Sequence, residues 1–418
     1  MFRPFDFYRT PSISFGAGML NNLGNIAASR SRQALLITGE SSLHASCLYE
    51  RIAESLEEAG VKFTQVSVSG EPSPHLVDEI VRKTFLGDPE RSQRGNPGVI
   101  ISVGGGSVID SGKAIAAMAC KPGETVQEYL DGVGSKPPDG EKIPFIAVPT
   151  TAGTGSEATK NAVLSKVGEG GFKKSLRHNN FVPDVALVDP ELSKNCPPEL
   201  TRTCGMDAFS QLLESYVSTG ATPFTDSLGL DALQKAIIYL PRAYNYGAGD
   251  TKAREGMAYA ALISGITLAN AGLGVIHGLA SELGAIINIP HGIACGALMA
   301  PAHRVTIDRL VETAPEKEES QRALEKYARV GRLYKFAQEN SFSLPESDVE
   351  SAEIIDDAYR VVEMLEKWCV EMSVPGLGDY GFTESHWQKL LAKDPNKNNP
   401  VKLNTEDIDF ILEAAYIG

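Results

Sequence analysis

The 418-residue sequence has no CxxC and no paired cysteine spacing; its six cysteines, at 47, 120, 196, 204, 295 and 369, are scattered along the chain. That excludes a disulfide framework and reads as free thiols of a reducing compartment, most of them filling core. Long apolar runs are missing too. Gly, Ser, Asn or a charge interrupts each one before about 18 residues, so no membrane-spanning helix is expected. The opening MFRPFDFYRTPSISFGAG lacks the charged and then apolar regions of a secretory signal. Cationic residues are in deficit: 39 Lys and Arg against 53 Asp and Glu give a net charge of -14. A nucleic-acid backbone or an anionic membrane would be repelled, so neither is expected as a partner. No internal repeat or low-complexity tract is present. A soluble cytoplasmic enzyme is the default.

The length calls for two or three domains, each able to bury a core. Through residue 193 short β-type runs alternate with helical ones. ALLITG (34–39) is a buried-strand run stopped by Gly, and LHASCLYERIAESLEEAG (43–60) is amphipathic. KFTQVSVSG (62–70) comes next, then a helix whose N-cap is Ser73, then VIISV (99–103), apolar throughout like a strand covered on both faces. This alternation predicts a doubly wound parallel sheet.

Two glycine-bearing loops come directly after apolar strands. In GGGSVIDSGKA, Gly104, Gly105 and Gly106 leave a strand and Ser107 opens a helix, so free N–H groups and the positive end of the helix dipole can face a phosphate, with Asp110 one turn on. The GxGxxG fingerprint is absent, and one such turn is weak evidence. In PFIAVPTTAGTGSEAT (144–159), Thr150, Thr151, Thr154 and Ser156 offer hydroxyls suited to phosphate, ribose or a nicotinamide amide. A dinucleotide crevice at the strand ends accounts for both loops.

VPDVALVDPEL (182–192) is the last strand-like run, and Cys196-Pro197-Pro198 marks a boundary. Residues 194–418 carry helical spacing and predict an all-α second domain. Within it Asp207 and Gln211 stand four residues apart on one helix face, and His277 and His291 lie further on in GVIHG and IPHG. A carboxylate and two imidazoles in apolar or Gly-rich surroundings suit a divalent metal such as Fe2+ or Zn2+. The competing readings are an N-cap for Asp207 and satisfied core histidines. The remaining histidines, His44, His75, His178, His303 and His386, read as surface or capping residues.

Taken together, GGGSVIDSGKA, PTTAGTGSEAT, PDVALVDPEL, GMDA with LESYVS, NAGLGVIHG, NIPHG and a late NP before an acidic helix resemble the iron-containing (group III) alcohol dehydrogenase family, in the family's order and over nearly the whole chain. The resemblance implies a Rossmann-like domain (1–193) holding NAD(P), a helical, dehydroquinate synthase-like domain (194–418) holding the metal, a cleft between them, and reversible hydride transfer between a small alcohol and its carbonyl. A homodimer is the family-like expectation. Carried over by position, Asp207, His277 and His291 are metal ligands.

Two positions depart from the family's pattern. Gln211 stands where the family usually has a histidine ligand, and its carbonyl is a neutral, weaker donor. Ser281 stands where a second histidine near the substrate eases proton release. Members that select NAD often place an Asp after the strand's final Thr; here Gly39 stands there, with Glu40, Ser41 and Ser42 after it, which leans toward NADP over NAD. These departures keep open a metal-free reductase, a dinucleotide-binding regulatory relative without efficient redox activity, and a dehydroquinate synthase-like lyase.

Overall fold

A computed structural model describes residues 4–40, 48–86, 96–168, 170–339 and 351–417, and the chain divides into two compact units. One comprises Phe7–Lys166 and Gly170–Asn195; the other is built on Cys196–Gly418.

Among the described residues the first unit has eight strands: β1 (Ser12–Phe15), β2 (Gln33–Gly39), β3 (Lys62–Val68), β4 (Val99–Gly104), β5 (Phe145–Pro149), β6 (Asn161–Lys166), β7 (Phe172–Arg177) and β8 (Val185–Val188). Six of them form a parallel sheet in the order β1-β8-β5-β4-β2-β3. Alternation along each strand shows why it is covered on both sides. Leu35, Ile37, Ile100, Phe145 and Ala147 enter one core with helices α3 (Pro74–Val81) and α4 (Gly106–Met118). Their neighbours Ala34, Leu36, Val99, Ile101, Val103, Ile146 and Val148 enter another with α1 (Leu23–Ala28) and α2 (Leu48–Glu58). Side chains on a strand point alternately to opposite faces, and burying each Val, Leu or Ile contributes about 1.5–3 kcal/mol, so both faces need helices. Ser73 caps α3, its Oγ accepting from Leu76 N at 3.2 Å.

From β2 the chain passes outward to β3, then returns across β2 to β4 and continues to β5 on the far side. The direction of winding therefore reverses between β2 and β4. Their carboxyl ends, Gly39 and Gly104, flank this switch point, where open α/β sheets receive ligands. One feature lies outside the expected alternation: β6 and β7 form an antiparallel hairpin. Ala162, Leu164 and Leu176 join the α4-side core, and Lys173 turns outward to pair with Glu71.

The second unit is helical: α5 (Pro198–Val217), α6 (Pro223–Tyr246), α7 (Thr251–Ala271), α8 (Val275–Ile286), α9 (His291–Thr313), α10 (Glu318–Gln338), α11 (Ser351–Glu371), α12 (Glu384–Leu391) and α13 (Thr405–Ile417). Among the described residues no single helix is long and apolar enough to cross a membrane. The axes of α7 and α8 meet at a bend of 100°. Glycine makes that bend possible: Gly272 has φ 75°, and a Cβ on Gly274 would come within 2.9 Å of both Glu214 Oε1 and Asn399 Oδ1. His277 is thereby set in the first turn of α8.

Candidate metal centre and dinucleotide crevice

Helix α5 contributes one face of the metal-type cluster. Asp207, Gln211 and Glu214 are spaced i, i+4 and i+7, all buried on one side of the helix. His277 from α8, and His291 and Cys295 from the first two turns of α9, complete the group. One donor atom from each of Asp207, His277, His291 and Cys295 lies within 4.8 Å of the other three. His277 Nε2 is 3.4 Å from Asp207 Oδ1, and His291 Nε2 is 3.8 Å from the same oxygen. Asp207 and His277 are almost fully buried; the His291 side chain keeps 25% of its exposure and is the solvent-facing member.

Charge in this pocket is finely opposed. Burial pushes Asp207 upward, but hydrogen bonding to His277 and the neighbouring imidazoles reverse this and hold it below the usual carboxylate range. Burial disfavours a charged His277, yet Cys295, Glu214 and Asp207 together raise it well above an ordinary histidine. Two buried carboxylates thus rely on protonated imidazole for compensation. A divalent cation compensates them more strongly and takes up both imidazole nitrogens as ligands, so the donor set fits a metal of the Fe2+ or Zn2+ kind.

Glu214 does not stand out in its sequence context, although its i+7 spacing from Asp207 is a usable signal. Its Oε2 lies 2.6 Å from His277 Nδ1 and its Oε1 accepts from Ile276 N at 2.7 Å. Such a carboxylate behind a ligating histidine sets the tautomer, with Nε2 free to face a metal. Gln211 Oε1 accepts from Ser264 Oγ at 2.7 Å, and its amide also bonds to Asp207. Ser281 Oγ donates to the His277 carbonyl at 2.6 Å, an oxygen that also accepts from Lys397 Nζ at 2.8 Å. The loop carrying Lys397 presses on this turn: a Cβ at Gly278 would sit 2.0 Å from the Pro395 carbonyl oxygen. Asn398 N donates to Leu273 O, and Asn398 O accepts from Thr219 N.

His303 departs from the surface or capping reading. It is buried in α9 with Nδ1 2.8 Å from the Tyr327 hydroxyl, and burial pushes it down to about 4. By contrast, His178 and His386 bond to helix N-termini, and His75 is exposed. His44 lies outside the described residues.

In the first unit, three of the candidate cofactor stretches end on adjacent strands. Gly39 closes β2, Gly104 closes β4, and Thr150 comes just after β5, its N–H donating to Gly104 O at 3.0 Å. Ser41 lies outside the described residues. The two glycine-bearing loops touch: a Cβ on Gly105 would lie 3.4 Å from Thr151 Oγ1, and one on Gly106 2.6 Å from Thr154 Cγ2. The N-cap of α4 is Gly105, which has no side chain to occupy the first-turn N–H groups, although Val108 N donates to Gly105 O at 3.0 Å. Gly105, Gly106, Ser107, Thr150, Thr151 and Thr154 are partly exposed along this edge.

Asp110 and Ser156 are occupied differently. The Ser156 hydroxyl donates to Asp110 Oδ1, and Asp110 Oδ2 accepts from Val163 N at 2.9 Å. Fully buried Lys113 ties the same loop, donating to Ser156 O at 2.9 Å, Thr159 Oγ1 at 2.8 Å and Asn161 O at 2.7 Å.

Comparison with known proteins agrees with this arrangement. Residues 10–190 match the family described as iron-containing alcohol dehydrogenase, and residues 201–416 the one described as Fe-containing alcohol dehydrogenase family, C-terminal. The chain is similar to an NADPH-dependent butanol dehydrogenase of Clostridium saccharobutylicum, with 30% identity over 415 residues, covering 97% of this chain and 96% of that one. It is similar to an NAD-dependent methanol dehydrogenase of Bacillus methanolicus, 31% identical over 418 residues, covering 98% and 99%. Among solved structures it resembles 1,3-propanediol oxidoreductase, with a TM-score of 0.82 and 28% identity over 99% of this chain and 100% of that one.

Proposed function

Because the chain belongs to the iron-containing alcohol dehydrogenase family, we propose that it interconverts small alcohols and their carbonyl compounds with NAD(P), at a divalent metal held by Asp207, His277 and His291. The observation that carries this reading is the convergence of those three side chains, from three separate helices, within 4.8 Å of one another in a largely buried pocket.

When bound, the metal supplies Lewis acidity toward the substrate oxygen and the nicotinamide supplies or accepts the hydride, so no protein nucleophile is needed. Asp207 brings a formal negative charge to the centre. Glu214 accepts the Nδ1 proton of His277 and holds the Nε2 lone pair toward the cluster. Ser281 offers a hydroxyl in place of a relay imidazole, and that proton is held on the His277 carbonyl. Moving a proton through Ser281 requires the hydroxyl to turn away first, which slows proton release.

For the dinucleotide, the Gly104–Ser107 turn and the α4 N-terminus take the pyrophosphate, and Thr150, Thr151 and Thr154 take ribose and amide groups. Asp110 and Ser156 serve by holding the second loop in place. NADP is favoured over NAD because Gly39, at the end of β2, leaves room for a 2′-phosphate, against which the carboxylate of the next residue, Glu40, counts. Relatives of nearly equal identity are named for NADPH and for NAD, so catalytic efficiency with each cofactor is the deciding measurement; a preference for NAD would overturn the assignment.

The activity test is metal analysis of the purified protein and then a panel of alcohols and aldehydes read at the nicotinamide absorbance. Metal-dependent turnover is expected. Turnover that survives complete chelation would favour a metal-free reductase, and metal binding without turnover on any member would favour a regulatory relative. The family resemblance supports a homodimer, which sedimentation would check, and a cytoplasmic location, which cell fractionation would check.

A further inference from the structure

We propose that Cys295 is a fourth protein ligand of this metal, filling the donor place that Gln211 leaves, and that the resulting carboxylate, two-imidazole and thiolate set selects zinc over iron. The inference rests on the metal reading above and adds to it the identity of one donor and of the ion.

Position comes first. His291 and Cys295 are four residues apart in α9, on successive turns of one helix face. Cys295 Sγ lies 3.8 Å from His277 Nε2, 3.8 Å from His291 Nε2 and 3.9 Å from Asp207 Oδ1. With the 3.4 and 3.8 Å separations from Asp207 to the two histidines, five of the six edges of a four-donor figure lie between 3.4 and 3.9 Å. A tetrahedron built on zinc bonds of about 2.0–2.3 Å has edges of about 3.3–3.8 Å. The four atoms are therefore spaced as the corners of one coordination shell.

The ordinary reading of a buried cysteine is a small hydrophobe. Here the sulfur faces two imidazole nitrogens and a carboxylate oxygen, three possible metal donors, in place of the hydrocarbon that surrounds a core cysteine. Cys369 illustrates the alternative: its Sγ sits 3.7 Å from one backbone carbonyl, that of Gly296, and belongs to no donor cluster among the described residues. Gln211, meanwhile, directs Oε1 to Ser264. The amide nitrogen left on the other side has no lone pair to give.

Chemistry then sets the preference. Two imidazoles and one carboxylate with open positions are a ferrous pattern, and adding a soft thiolate to complete a tetrahedral nitrogen, oxygen and sulfur set moves the site toward zinc, because geometry and ligand type decide selectivity where raw affinity does not. Two anionic donors also cancel the charge of a divalent ion, whereas Asp207 alone would leave one positive charge. The solvent-facing side of the cluster, at His291, is the side from which substrate can approach.

The test is the absorption spectrum of the Co2+-loaded protein, with zinc affinity of the wild type and C295S measured by chelator competition. A thiolate-to-cobalt charge-transfer band in the near ultraviolet, lost in C295S while the visible d–d bands persist, is expected. Zinc affinity should fall in C295S by at least about tenfold, the loss typical even of partners one shell further out. Loading from an equimolar mixture of ferrous iron and zinc should leave zinc in the wild type. Cobalt d–d bands without the near-ultraviolet band overturn the ligand assignment and leave the dehydrogenase reading standing; the wild-type spectrum alone decides this, even if the variant fails to fold. Failure of the wild type to bind Co2+ or Zn2+ overturns the Cys295 and zinc assignments, and failure to bind Fe2+ as well overturns the metal reading beneath them.

Discussion

Glu214→Gln changes no volume and removes one charge, and the hydrogen bonds around the side chain determine its effect. The carboxylate uses Oε1 to accept from Ile276 N at 2.7 Å and Oε2 to accept from His277 Nδ1 at 2.6 Å. A glutamine has one acceptor oxygen. The backbone N–H of Ile276 can only donate, so the amide oxygen must stay there and the NH2 must face His277. His277 then has to accept at Nδ1, which moves its proton to Nε2, the atom that faces Asp207 and Cys295. A protonated Nε2 cannot ligate. Losing such an outer partner costs about 10–100-fold in metal affinity, or about 1.4–2.7 kcal/mol. The assay is chelator competition for zinc, with thermal unfolding of the chelated protein as control. The chelated protein also loses the Glu214–His277 charge pair, so its melting temperature is measured to separate a loss of folding stability from the fall in affinity. An affinity within twofold of wild type would refute the claim that Glu214 sets the His277 tautomer.

Three further outcomes are expected. Gly106→Ala places a methyl 2.6 Å from Thr154 Cγ2 at the mouth of the phosphate turn; KM for the dinucleotide should rise about tenfold, equal to about 1.4 kcal/mol, with metal content unchanged, and an unaltered KM would remove that turn from the cofactor site. Buried His303 is held down to about 4 from 6.5, so its contribution is fully present above about 6.5 and lost as pH falls through about 4, worth about 3 kcal/mol. The stability advantage of the wild type over His303→Gln, read by urea unfolding, should therefore shrink by that amount between pH 7 and pH 4; an advantage independent of pH contradicts the assignment. Ser281→His restores a relay imidazole, and a pH–rate profile and alcohol preference identical to wild type would show that Ser281 does not limit proton release.

Much of this is legible in the chain. The strand ends at Gly39, Gly104 and Pro149 can be read because a parallel sheet buried on both faces writes itself as uninterrupted apolar runs ending in Gly or Pro. Asp207, His277 and His291 stand out as polar groups in apolar or Gly-rich settings. Cys295 does not, because an isolated cysteine is compositionally indistinguishable from core, and only the phase of α9 relative to His291 turns its sulfur inward. Glu214 is hidden in the same way, as an ordinary acidic residue whose meaning depends on which face of α5 is covered. The β6–β7 hairpin is obscured because its strands mix lysine and serine with few apolar positions. His303 is misleading because Pro301 suggests a break, whereas α9 runs through it from His291 to Thr313.

The strap of residues 394–399 across the His277 turn has a consequence for biosynthesis. With the Pro395 carbonyl filling the space over Gly278, and Lys397 and Asn398 fastening the bend, the turn that presents His277 is braced by residues more than a hundred positions downstream. Translation delivers them only after His277 has long left the ribosome. Bracing of this turn is therefore a late event in the making of each molecule, and a chain aborted before Asp394 carries every proposed ligand but lacks the clasp over His277.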